Sequence, residues 1–83
     1  MSVEDVIRTF IADEIMQGED AASLALDRPL IDDRILDSMD IQRLVAFVEA
    51  RFGVRVPDDQ LEPDNFASVR AIARMVGRLG GAA

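Results

Sequence analysis

Asp37-Ser38-Met39-Asp40-Ile41-Gln42-Arg43-Leu44-Val45-Ala46-Phe47-Val48-Glu49-Ala50-Arg51-Phe52-Gly53 carries the clearest pattern in the chain. Ile41, Leu44, Val45, Val48 and Phe52 stand at positions i, i+3, i+4, i+7 and i+11, which is one face of an α-helix. The spacing predicts a helix over about 38–52, ended by Gly53. Winding the same stretch at about 100° per residue puts Met39, Arg43, Ala46 and Ala50 opposite the core, with Phe47 beside them. A solvent-facing stripe of that composition has two readings, scattered surface hydrophobicity or a surface on which a partner docks.

The start of this helix also reads two ways. Asp-Ser is a common helix opening, and Ser38 can serve simply as its cap. If Asp37 takes the cap instead, Asp40 falls at the third helical position and Ser38 becomes the first helical residue, with an unemployed hydroxyl. Such a hydroxyl is open to modification, and the partial positive charge of a helix N-terminus favours a phosphodiester attached there. On the residues alone both readings stand.

Working outward, Ser2 caps a first helix predicted over about 3–17, with Val3, Ile7, Phe10 and Ile11 at helical spacing and Gly18 as its stop. Residues 18–37 show no sustained period, yet Leu24, Leu26, Leu30, Ile31, Ile35 and Leu36 are too apolar for a free linker. A connection this long is uncommon in a compact domain and points to a packed or functional loop lying across the bundle. Val54-Arg55-Val56-Pro57 reads as an extended connector, and residues 63–66 as a short helix with Phe66 inward. Ser68 caps a last helix over about 69–79, whose buried face is Val69, Ile72, Ala73, Val76 and Leu79, and residues 80–83 are expected to be a disordered tail. The prediction is a single all-α domain over 1–83, a small bundle of three main helices plus one short one, with its hand left open and a long loop between the first two helices.

Composition narrows the function. The 83 residues leave room for one core, since a fold of this size buries only roughly 60% of the surface its unfolded chain exposes. With no Cys and no His, the chain lacks thiolate and imidazole metal ligands, cysteine nucleophiles and the Ser-His-Asp arrangement. Sixteen acids against nine Arg give a net charge of −7, which disfavours nucleic acid and favours basic protein partners. No apolar run is long enough to cross a membrane, and the acidic start is unlike a signal peptide, so the expected setting is the cytoplasm without membrane insertion. Asp32-Asp33 and Asp58-Asp59 lack the alternating ligands and central Gly of a calcium loop, and no metal is expected.

The chain resembles the acyl and peptidyl carrier protein family in its free-standing form. The likeness rests on Pro29-Leu30-Ile31-Asp32-Asp33-Arg34-Ile35-Leu36-Asp37-Ser38-Met39, on Ile41, Leu44-Val45, Glu49 and Phe52-Gly53-Val54, and on Pro63-Asp64-Asn65-Phe66-Ala67-Ser68-Val69. The resemblance implies that a phosphopantetheinyl transferase moves 4'-phosphopantetheine from coenzyme A onto Ser38, and that cargo then rides as a thioester on the arm. It implies a non-catalytic monomer, handled by a loading ligase or acyltransferase and by downstream synthase, condensing or tailoring enzymes. Asp37, Met39, Asp40, Arg43, Ala46 and Phe47 are the expected partner contacts.

Two departures bear on subtype. Gln42, Arg43, Ala46, Ala50 and Arg51 dilute the acids of the second helix to Asp40 and Glu49, where fatty-acid carriers are dense in acids. Arg34 stands where related sequences often have Gly. The dilution favours a discrete carrier of a specialised polyketide, nonribosomal peptide or related secondary-metabolite pathway, aminoacyl carriers included. The alternatives are a housekeeping fatty-acid carrier and an unmodified helical adaptor of the same fold.

Overall fold

The computed structural model describes residues 2–82, and every regular element among them is helical. α1 (Val3–Phe10) begins where the Ser2 hydroxyl accepts the Asp5 N–H at 3.1 Å. It does not stay α-helical to its end. Residues Ile11–Ile15 widen into a π turn, the Met16 N–H reaching back to the Ile11 carbonyl, and the chain leaves the helix at Met16 rather than Gln17. Gln17 and Gly18 both take positive φ there, 57° and 94°. Val6, Ile7, Ile11 and Ala12 are buried, whereas Val3 and Phe10 are only half-buried.

The connection that follows is anchored to the core at three points along an otherwise mostly exposed path. A 3-10 turn at Ala21–Ser23 opens it, and Leu24, Leu30 and Leu36 are buried in the core. Backbone bonds tie it to a distant element: Leu30 N–H donates to the Ala67 carbonyl at 2.8 Å and Arg70 N–H to the Leu26 carbonyl at 3.0 Å. α2 (Ser38–Phe52) contributes Leu44, Val48 and Phe52 to the core and leaves Ile41 and Val45 half-exposed along one edge. Gly53 ends it in the left-handed region, φ 66°, where a glycine has no side chain to clash.

The expected connector, Val54 to Pro57, carries no helix and ends in extended backbone at Pro57; a 3-10 turn at Asp58–Gln60 follows it, and the short helix at Pro63–Phe66 is likewise 3-10. α3 (Val69–Arg78), capped by the Ser68 hydroxyl on the Ala71 N–H, buries Val69, Ile72, Met75 and Val76 and packs on α1. The tail departs from the expectation of disorder. Gly80 N–H donates to the Gly77 carbonyl and Gly81 N–H to the Val76 carbonyl, the paired bonds of a Schellman ending. A Cβ on Gly81 would stand 2.5 Å from Val76 Cγ1, so this residue is packed in place. Ala82 is exposed, and Ala83 lies outside the described residues.

Candidate functional site

Ser38 is the first residue of α2, and Asp37 is the cap. The Asp40 N–H donates to Asp37 Oδ1 at 2.8 Å, and the Asp37 N–H donates to Asp40 Oδ2 at 3.3 Å. This reciprocal box occupies the carboxylates on either side of the serine and satisfies the N–H groups of Asp37 and Asp40. Ser38 is exposed, and its hydroxyl makes no hydrogen bond among the described residues. Two residues earlier Leu36 is buried, and its N–H and that of Ile35 both donate to the Leu30 carbonyl, so the approach to the serine is anchored. A free, solvent-facing hydroxyl at the positive end of a fifteen-residue helix suits a phosphodiester linkage.

The approach also contains strain. Arg34 holds φ 59°, a conformation that costs a residue with a Cβ about 1–2 kcal/mol and glycine almost nothing. The wider loop is latched by Arg70, whose guanidinium donates to both carboxylate oxygens of Asp27 at 2.7 and 3.2 Å. The Arg70 hydrogen bond holds the Asp27 carboxyl below the usual carboxylate range.

From Ser38 an open groove of about 1110 Å³ runs beside α2, lined by Ile41, Val45 and Glu49 on one side and by Val54, Val56 and Leu61 among others on the far wall. The wall is pinned by Glu49, whose Oε2 accepts the Val56 N–H at 2.8 Å. Both acids of α2 are therefore engaged in the fold, Asp40 in the cap and Glu49 on the wall.

The expected contact residues divide by surroundings. Met39, 70% exposed, stands next to the serine, and Ala46 is exposed on the groove. Arg43 is drawn back toward the first helix, donating to the Glu14 carbonyl at 3.0 Å and pairing with Asp40 at 3.6 Å. Phe47 is half-buried and stacks on Phe10, ring centroids 4.1 Å apart, where the end of α1 meets that side of α2. The sequence pattern did not single out Leu61, which is 45% exposed on the groove, because its segment has no helical period. Two of the three arginines of α3 are held within the fold: Arg70 pairs with Asp27, and Arg78 donates to Gln60 and Asn65. Among the described residues no three acids gather at a cation position, and no helix is long and apolar enough to cross a membrane.

Comparison with known proteins places this architecture. The family model described as the phosphopantetheine attachment site matches residues 5–76. The acyl carrier protein of Solidesulfovibrio magneticus is 34% identical over 62 residues, which is 75% of this chain and 77% of that one. Aminoacyl carrier protein 1 of Bradyrhizobium diazoefficiens is 44% identical over 41 residues, 49% of this chain and 46% of that one. A chain in the crystal structure of Bradyrhizobium japonicum glycine:[carrier protein] ligase complexed with glycylated carrier protein superposes with a TM-score of 0.68 at 34% identity, covering 89% of this chain and 99% of that one. The chain belongs to the phosphopantetheine attachment-site family of acyl and aminoacyl carrier proteins.

Proposed function

We propose that Ser38 carries the phosphopantetheine arm and that the protein is a discrete carrier of a specialised biosynthetic pathway, with aminoacyl cargo favoured. One observation carries the assignment of the residue: Asp37 and Asp40 complete the cap between themselves, so the Ser38 hydroxyl is left exposed and unbonded at the head of α2. When bound, the arm supplies a terminal thiol for thioester chemistry, which a chain without cysteine has no other means to offer. Ser38 provides the attachment oxygen, Asp37 and Asp40 hold its helix start, and exposed Met39 and Ala46 offer apolar contact to incoming enzymes. Arg43 and Phe47 contribute only the parts of their side chains left outside their internal contacts.

On this reading the protein catalyses nothing and works as a cytoplasmic monomer. Its partners are a phosphopantetheinyl transferase, a loading ligase or acyltransferase, and downstream synthase, condensing or tailoring enzymes. The absence of a free acid on α2 supports the specialised pathway, because an enzyme that docks through many salt contacts to this helix finds neither Asp40 nor Glu49 unengaged. The similarity to a glycylated carrier protein and to an aminoacyl carrier protein supports amino acid cargo. Similarity to acyl carrier proteins over three-quarters of the chain favours a second reading, a housekeeping fatty-acyl carrier.

The test is intact mass after incubation with coenzyme A and a broad-specificity phosphopantetheinyl transferase. One phosphopantetheine increment on the wild type and none on Ser38→Ala is the expected result. No increment, with the transferase active on a control carrier, leaves an unmodified adaptor.

A further inference from the structure

Eight of the nine arginines lie apart from the groove, six of them with a partner of their own. Arg8, Arg28, Arg43 and Arg70 pair with Asp5, Asp33, Asp40 and Asp27. Arg78 donates to Gln60 and Asn65, Arg51 lies over the Phe52 ring, and Arg34 sits in the loop before Ser38. Arg74 is exposed on α3, and only Arg55 lines the groove that begins at Ser38. In a chain of net charge −7, the Arg55 guanidinium has no ion-pair partner among the described residues, although Glu49 and Asp58 line the same groove. Its backbone is not free to swing, because the next residue, Val56, is fastened to the Glu49 carboxylate.

We propose that Arg55 gives this carrier a preference for cargo bearing a carboxylate, holding the anionic end of an acyl or aminoacyl group in the groove beside α2. The inference rests on Ser38 as the attachment residue. Ser38, Ile41, Gln42, Val45 and Glu49 form one continuous stripe of α2 along the groove. From Ser38 to Glu49 the helix rises about 16 Å, and Glu49 holds the wall segment that carries Arg55. An extended pantetheine arm covers that span. Its phosphodiester stays at the serine, three turns away, and its cargo end reaches the level of Arg55. Ile41, Val45, Val54 and Val56 supply apolar contact for the arm on the way. A guanidinium binds a carboxylate with two parallel hydrogen bonds, which a methyl-ended cargo of equal length cannot make. Because Arg55 is exposed, the preference is modest and weakens with salt.

The experiment loads succinyl- and butyryl-phosphopantetheine onto the wild type, Arg55→Gln and Arg55→Lys, using a phosphopantetheinyl transferase that accepts acyl-coenzyme A. Each product is checked by intact mass, and ¹H–¹⁵N spectra are recorded at low and high salt. The succinyl form is expected to shift the Arg55 side-chain N–H and the amides of residues 54–58 relative to the butyryl form. High salt shrinks the difference, Arg55→Gln removes it, and Arg55→Lys retains part of it. A correct mass increment with identical spectra for the two cargoes overturns the role of Arg55 and leaves Ser38 standing, as does a difference that survives in Arg55→Gln. No increment on the wild type overturns both.

Discussion

Phe10 and Phe47 stack with their ring centroids 4.1 Å apart and their planes 17° from parallel, which fastens α1 to the side of α2 that faces away from the groove. Phe47→Ala is expected to cost about 2 kcal/mol, from lost apolar burial together with the aromatic pair itself. Urea unfolding of Phe47→Ala, Phe10→Ala and the double variant measures it, with a coupling of about 1 kcal/mol expected from the pair. Full stability in Phe47→Ala would show instead that this ring is a free surface group.

The capping box separates stability from modification. Asp37→Ala should lose about 1 kcal/mol of stability through the missing cap. Ser38→Ala should lose none, because a first-turn alanine suits the helix and the serine hydroxyl bonds to nothing. Denaturant midpoints of the two apo variants check this. Equal losses would mean that the serine, too, is part of the cap.

Arg34 is a position where the fold works against its own residue. Arg34→Gly removes the left-handed strain but frees the unfolded chain, so a net gain of up to about 1 kcal/mol is expected. The apo melting temperature of this variant reads the outcome. A fall would show that the arginine side chain contributes more than its backbone costs.

Asp27 and Arg70 give a pH signature. Because the folded-state pKa of Asp27 is lowered, chiefly by the Arg70 hydrogen bond, the latch adds stability above the ordinary carboxylate range. That contribution is lost as pH falls through the depressed folded value. Wild type should therefore be more stable than Asp27→Asn near neutrality, and the two melting curves should converge in acid. A constant offset at every pH would assign the effect to packing rather than to charge.

The helical class, the start of α2 and the position of Ser38 were legible in the sequence because each is a local property. Periodicity over fifteen residues and the reach of a side chain three residues along the backbone are set by helix geometry alone. The same locality explains what was missed. Phe47 and Arg43 wind onto the outer part of α2, and only the path of the first helix, 29 residues away in sequence for the Arg43–Glu14 bond, gives them partners within the fold. The core of the first helix takes Ala12 and leaves Phe10 half-buried against Phe47, a choice set by the neighbouring helix that no apolar count reveals. Gly81 looks like a fraying end until Val76 and Val54 are seen to leave no space for a Cβ. Local chemistry placed Ser38 at a helix start and left open whether it or Asp37 was the cap; only the folded structure gave the cap to Asp37 and set Arg55 and Leu61 along one groove with the serine, because chain segments without a period of their own take their positions from the surfaces they meet.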